Sequence, residues 1–361
     1  MQKQRVGIFF GGLSNEREVS LNSGRHVYNI IDRARFEPLP IFVDSKGKFW
    51  NIPLPLIVQN TTKDIEARLS EAKRILYEDL TTLINIAFPI TFGSYGEDGC
   101  LQGLLSLLSI PFVGSSVLGA ALGQDKAMQR ILLKENPRIN TPPYMVTNAT
   151  DIRLPLPFPF PVVTKPARGG SSLGVEVVKK PEDIHRALEK ALEHDSHAII
   201  EPWLNGMEFS CVVMENSGTV RALTPTETVH AQEIFTYNEK YMPGASNKIT
   251  PARVDAETLK NIQAMCVETF KTLGFSGWSR IDGFVLSEPI PYTLNPKPFA
   301  AGTILITDPN VYSGLSPSSW TFHQAAQENW SPMEFITTLI ETVKQKSETR
   351  MTNEESNPKP E

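Results

Sequence analysis

The densest chemistry in the chain lies between Arg280 and Ser319. Two apolar runs rich in β-branched residues, Arg280–Leu286 and Thr303–Thr307, are separated by Pro and Gly, which predicts two strands of a hairpin. Alternation along the first strand puts Arg280 and Asp282 on one face and Ile281 on the other; Asp308 and Asn310 likewise share a face. Asp282, Asp308 and Asn310 can then converge as three oxygen ligands with Arg280 beside them. So few hard ligands suit Mg²⁺ that is also held by the phosphates of a nucleotide. A solvent-facing hairpin with scattered polar residues is the rival reading. The Gly314-Leu315-Ser316-Pro317-Ser318-Ser319 tail tips the balance, because glycine followed by hydroxyls offers donors to an anion. Asn295-Pro296-Lys297-Pro298 gives another register, rejected because Thr293 would replace the carboxylate and Phe299 the glycine.

Four other stretches carry reactive types. Gly11-Gly12-Leu13-Ser14-Asn15-Glu16-Arg17-Glu18-Val19-Ser20 follows a buried-strand pattern at Arg5–Phe10 and precedes a helical one. Strand, glycine turn and helix is the α/β unit that binds ligands at strand ends. It is not GxGxxG, and acidic Glu16 there favours an amino group over a phosphate; the alternative is that Glu16 and Glu18 only complement the helix dipole. A second such turn, Thr91 to Gly99, follows the apolar run Ile84–Ile90 and precedes an apolar helix at Leu101–Leu108; Glu97 can hold a neighbouring loop. Lys165-Pro166-Ala167-Arg168-Gly169-Gly170-Ser171-Ser172 sets basic residues around a flexible loop, a phosphate grip without the Walker spacing. Trp203 and Leu204, between Glu201 and Glu208, suit an adenine slot with a ribose ligand, or an ordinary core edge.

The elements that must position these residues read as mixed α/β. Ile110–Val113 predicts a short strand. Ser116–Leu133 predicts one helix carrying Asp125-Lys126, where the lysine alone would be a solvated charge. Glu182–His194 and Ala256–Leu273 have helical spacing; Ala198–Ile200, Phe209–Val213 and Val220–Leu223 read as strands. Tyr237 to Ala252 has no apolar period and predicts a long lid-like loop. Gln324–Gln327 and Pro332–Lys346 close the chain as helices before a polar tail expected to be disordered.

Composition narrows the class. The 361 residues carry 35 basic and 40 acidic side chains, a net charge of −5, so there is no basic footprint for nucleic acid. Cys100, Cys211 and Cys266 match no disulfide or zinc spacing and are expected to be small buried hydrophobes. No signal peptide or long apolar run is found, so a cytoplasmic protein that does not enter the membrane is expected. No internal repeat is found.

Taken as a set and in order, these motifs resemble the D-alanine–D-alanine ligases of the ATP-grasp superfamily, over nearly the whole chain. The family's Gly-Gly-x-Ser-x-Glu-x-Glu-Val-Ser is Gly11–Ser20, Tyr-Gly-Glu-Asp-Gly is Tyr95–Gly99, and the Asp-Lys helix is Asp125-Lys126. Lys-Pro-Ala-x-x-Gly-Ser-Ser is Lys165–Ser172, the ω-loop pair is Lys240-Tyr241, and Arg-x-Asp is Arg280–Asp282. The closing Glu-x-Asn…Gly…Ser is met by Asp308, Asn310, Gly314 and Ser319.

The resemblance implies an ATP-grasp fold with an N-terminal Rossmann-like domain. Its divisions would be 1–116 (N-terminal), 117–200 (central), 201–346 (C-terminal, with ω-loop and metal site) and a tail at 347–361. It implies ATP and two Mg²⁺ ions, or Mn²⁺ in their place, and joins two D-alanines through an acyl phosphate; a homodimer is expected. Lys126, Lys165, Ser172 and Lys240 would serve the nucleotide together with Glu201, Trp203, Leu204 and Glu208, which hold adenine and ribose. Asp282, Asp308 and Asn310 would hold the metals, and Arg280 with the Gly314 backbone the developing oxyanion. Glu16 would take the first ammonium and Ser319 the second carboxylate, while Ser171 and Tyr241 close the ω-loop. Tyr241 resembles dipeptide-forming members, where Phe would suggest a depsipeptide ligase. Four departures stand out: Phe92 for His, Asp308 for Glu, Gln124 for Met, and a longer Ser287–Gly302 connection. They leave two rivals open, a ligase of another amino- or hydroxy-acid pair and a weakly active ATP-binding paralogue.

Overall fold

The computed structural model describes residues 3–170, 173–216, 218–229, 247–290 and 299–343. The first sheet is built from β1 (Gln4–Gly11), β2 (Phe36–Val43), β3 (Phe49–Asn51), β4 (Lys73–Ile75) and β5 (Ile86–Pro89), in the order β4-β3-β2-β1-β5. β1 is almost continuously buried and runs parallel to both β2 and β5. A parallel partner needs a crossover, which the helix Arg17–Ile30 supplies. The turns after β1 and β5 therefore lie side by side, and Ser14 Oγ donates to the Phe92 carbonyl across them at 2.6 Å.

A second, antiparallel sheet contains β6 (Met145–Thr147), β7 (Val162–Pro166), β8 (Glu176–Val178) and β9 (Ala198–Pro202), in the order β6-β9-β7-β8. The third comprises β10 (Gly206–Asn216), β11 (Thr219–Ala222), β12 (Thr226–Val229), β13 (Asn247–Ile249), β14 (Trp278–Leu286) and β15 (Ile304–Asn310). Its path is β13-β12-β10-β14-β15, with β11 on β10.

Register explains why this third sheet can carry a site. Ser210, Asp282 and Asp308 are lateral neighbours, as are Arg280 and Asn310, and as are Glu208, Thr228 and Lys248. Paired residues project to the same face, so one face collects the polar set. The alternate residues Phe209, Cys211, Val213 and Ile281 are fully buried in one core with Cys266 and Phe270 of the helix Ala256–Thr272. Pairing shifts from Asp282↔Asp308 to Gly283↔Ile306, so Thr307 is an extra residue on β15. At Gly283 an added Cβ would lie 2.3 Å from the Leu305 carbonyl oxygen and 2.5 Å from Phe209 Cζ. Gly283→Ala is thus expected to destabilise the protein by about 1–3 kcal/mol through overpacking, read as a lower urea midpoint. A midpoint equal to that of wild type would show that the bulge tolerates a side chain.

Several expectations are corrected. The helix expected over 116–133 is two helices, Val117–Gln124 and Lys126–Lys134. Asp125 between them is extended (φ −110°, ψ 94°), and its side chain caps the second helix by accepting from the Met128 N–H. A short carboxylate that can bond its own following turn is what stops the first helix. The strand expected at 110–113 is reduced to a bridge between Phe112 and Ala87, with Pro111 lacking the N–H that a ladder requires. Cys100 is exposed at a helix start, whereas Cys211 and Cys266 are buried as expected. The lid-like stretch contains β13, which pairs with β12 because Lys248 and Thr228 can align there. Residues 230–246, the Asn295 register and the 347–361 tail lie outside the described residues. The last helix is described over 332–343. Among the described residues no helix is long and apolar enough to cross a membrane.

Candidate active site

The three sheets surround a cavity of about 1120 Å³. It is lined by Glu16, Lys126, Lys165, Glu201, Trp203, Leu204 and Glu208, and also by Arg280, Asp282, Asp308, Asn310, Gly314 and Ser319. Every expected site residue that is described therefore meets in one place. Ser171, Ser172, Lys240 and Tyr241 lie outside the described residues.

Glu16 and Glu18 part company. Both Glu18 oxygens accept from the Thr62 N–H at 3.1 Å, which ties the short helix Thr62–Glu66 to the helix start. Glu16 caps nothing with its side chain and faces the cavity, where a Cβ on Gly170 would lie 3.2 Å from its Oε2. The glycine loop after Lys165 thus lies against the Glu16 carboxylate, and a side chain on Gly170 would have to displace the tip of Glu16 by a few tenths of an ångström.

Behind Glu16 sits Glu97, which accepts from the Gly93 N–H (3.1 Å) and from Gln124 Nε2 (2.7 Å). Burial and then the Glu16 charge push its carboxyl up to about 8, against an ordinary value of 4.5. Gln124 is a donor to this group, a role that methionine could not fill. The linkage has a definite sign: between about 4.5 and 8 the folded protein binds the proton that the unfolded chain has released, so stability falls as pH rises. Glu97→Gln is expected to flatten the melting temperature across that window. An unchanged slope relative to wild type would mean that Glu97 is not the group responsible.

At the far end, Lys165 Nζ lies 2.5 Å from Glu201 Oε1, and Arg130 Nη2 lies 3.2 Å from Glu201 Oε2. Burial alone would raise the Glu201 carboxyl; Lys165 and Arg130 outweigh it and hold Glu201 below its ordinary range. Burial also lowers the Lys165 ammonium, and Glu201 opposes that shift. Arg130 is fully buried and donates to the carbonyls of Thr307 (2.7 Å) and Ile306 (3.3 Å), next to the extra residue of β15. It joins β15 to Glu201 of β9, and through Glu201 to Lys165 of β7, and no motif in the sequence marked it. Its helical spacing four residues after Lys126 was the available signal. The Glu201 carboxylate is engaged by these two cations, and its neighbours Trp203, Leu204 and Glu208 line the cavity beside it.

Lys126 Nζ donates to the Gly169 carbonyl at 2.8 Å and lies 3.5 Å from Asp308 Oδ1, bridging the glycine loop to the carboxylates. Asp282 accepts from Ser210 Oγ, from Arg280 Nε (3.0 and 3.1 Å to its two oxygens) and from Asn310 Nδ2 (3.2 Å). Burial raises the Asp282 carboxyl; Arg280 works against the shift and Asp308 adds to it. Two carboxylates forced together on one face, with an amide beside them, form a donor set that a hard divalent cation fits, because the cation relieves their repulsion. At the opposite wall Ser319 Oγ donates to the Gly314 carbonyl, and Ser319 N-caps the helix Trp320–Gln327 without a side-chain cap bond.

Two protein-family descriptions match the chain: "D-ala D-ala ligase N-terminus" over residues 5–115 and "D-ala D-ala ligase C-terminus" over 139–341. The D-alanine–D-alanine ligase of Natranaerobius thermophilus is 31% identical over 360 residues, covering 94% of this chain and 94% of that protein. D-alanine–D-alanine ligase A of Chromobacterium violaceum is 32% identical over 372 residues, covering 96% of each. Among solved structures, the VanG D-Ala:D-Ser ligase from Enterococcus faecalis superposes with a TM-score of 0.79 at 27% identity, over 95% of this chain and 100% of that one. The D-alanine–D-alanine ligase from Coxiella burnetii gives 0.78 at 22% identity over the whole of both chains, a likeness of fold.

Proposed function

The chain belongs to the D-alanine–D-alanine ligase family, and on that premise we propose that it joins two D-alanines to D-alanyl-D-alanine, with ATP converted to ADP and phosphate, to supply peptidoglycan precursors. The observation that carries the reading is the single cavity in which Glu16, Lys126, Lys165, Arg280, Asp282, Asp308 and Ser319 meet.

In this reading Glu16 takes the ammonium of the first D-alanine and leaves its carboxylate directed at Arg280. Lys126 and Lys165 hold the ATP phosphates, Trp203 and Leu204 flank the adenine, Glu208 takes the ribose, and Glu201 fixes Lys165. A carboxylate oxygen attacks the γ-phosphorus and ADP leaves, giving an acyl phosphate. The amine of the second D-alanine, its carboxylate at Ser319, attacks the acyl carbon; phosphate leaves and the amine gives up a proton. Arg280 and the Gly314 N–H stabilise the charge on the tetrahedral oxygen. Asp282, Asp308 and Asn310 would hold two Mg²⁺ ions, whose charge would neutralise phosphoryl oxygens. Of the residues outside the described ones, Ser171 and Tyr241 would serve the ω-loop and Ser172 and Lys240 the nucleotide, as the resemblance implies. No side-chain nucleophile is required; positioning and charge do the work.

We extend the proposal to a cytoplasmic homodimer, whose state sedimentation would test. Each chain divides at 116, 200 and 346, with β9 crossing the middle boundary.

The test is phosphate release from ATP and Mg²⁺ with D-alanine, D-serine, D-lactate or L-alanine, with products identified by mass. D-Ala-D-Ala from D-alanine alone supports the proposal, with activity abolished by chelating the metal. A mixed product with D-serine would favour the second reading, which the likeness to a D-Ala:D-Ser ligase motivates. No turnover with any of them while ATP still binds would overturn the ligase assignment.

A further inference from the structure

Lys248 lines the cavity and has no part in these roles. Lys248 projects from β13 on the same sheet face as Glu208 and Asp282. Its Nζ donates to the Ser318 carbonyl at 3.4 Å and lies 5.3 Å from the centroid of the Trp320 ring. The Arg280 guanidinium lies 5.4 Å from the same centroid, so two cations share one indole. Aromatic contact attracts each of them, but the like charges repel, and burial adds to the cost. Burial, then the Arg280 charge, lowers the Lys248 ammonium; on the other side, His323 is lowered by burial and by Lys248 itself. Arg280 itself is forked onto Asp282. Two cations crowded on one indole at the wall of a cavity, beside a turn of hydroxyls, form a place that suits an anionic ligand group.

We propose that Lys248 binds the carboxylate of the acceptor amino acid and draws it to the Gly314–Ser319 turn, making it an acceptor-specificity residue of this chain. The proposal rests on the ligase reading above. Lys126 and Lys165 serve the opposite end, at Asp308 and Glu201. The acceptor brings one group that reacts, its amine, and one that does not, its carboxylate. Holding the carboxylate at Lys248 aims the amine at the centre of the cavity. It also selects acceptors with a free carboxylate, because an amide or ester would leave the ammonium facing its like-charged neighbour.

The experiment compares wild type, Lys248→Met and Lys248→Arg in dipeptide formation, with the donor and acceptor KM values separated by full D-alanine saturation curves. Lys248→Met is expected to raise the acceptor KM about 10- to 100-fold, as for loss of a charge-assisted hydrogen bond, with the KM for ATP unchanged. Lys248→Arg is expected to restore most of the loss. An unchanged acceptor KM in Lys248→Met, an equal rise in the KM for ATP, or no recovery in Lys248→Arg would each overturn the assignment. No dipeptide from wild type would overturn the ligase reading and this proposal together, whereas active wild type with any of those results removes only Lys248.

Discussion

Arg280→Ala is expected to lower kcat by about two to three orders of magnitude, the cost of deleting one donor to a developing oxyanion. Arg280 also offsets the burial and the Asp308 charge that push the Asp282 carboxyl up. Without it Asp282 would hold its proton to a higher pH, and a protonated carboxyl binds a divalent cation poorly. The variant should therefore lose activity at a higher pH than wild type as the solution is acidified. Added Mg²⁺ would recover the part due to metal binding, but not the part due to the oxyanion. Arg280→Lys should recover little, because an ammonium cannot reproduce the paired Nε and Nη2 contacts of the planar guanidinium with Asp282. Steady-state rates against Mg²⁺ at two pH values check this; a kcat within threefold of wild type would remove Arg280 from the transition state.

Arg130→Met is expected to have the largest effect on stability. Arg130 has no solvent exposure and satisfies Glu201 and two backbone carbonyls at once. Removing one member of a buried ion network typically costs about 3–5 kcal/mol, since the remaining groups stay desolvated. For a protein of this size that is a melting-temperature loss on the order of 10 °C. The contrast is Lys165→Met, which leaves the Arg130–Glu201 pair in place and should act mainly on the KM for ATP. Melting curves of the two variants distinguish them. If Arg130→Met melts with wild type, the network is not what joins β15 to the Lys165 strand.

The sequence by itself determined the kinds of chemistry and their order along the chain. Glycine turns after apolar strands, Lys165 before a flexible loop, and alternating Arg280 and Asp282 are local patterns, set by backbone sterics and by the two-residue period of a strand. Such patterns can be read without knowing which strands are neighbours. Most helices and strands were legible for the same reason. Asp125 was not, because its side chain competes with the helix it sits in, and spacing alone does not reveal that competition.

Only the tertiary structure decided which polar residues serve the site and which hold the fold. Glu16 and Glu18 are two residues apart and equivalent in the sequence, yet one faces the cavity and the other is bound to Thr62. Arg130 reads as one more charge on a helix and becomes the buried link between two sheets. Lys248 reads as loop and is carried into the site by pairing with Thr228. In each case the residue's role depends on partners 20 to 180 positions away. Burial and charge act through space, so the environment that fixes each role exists only once the distant segments have packed together.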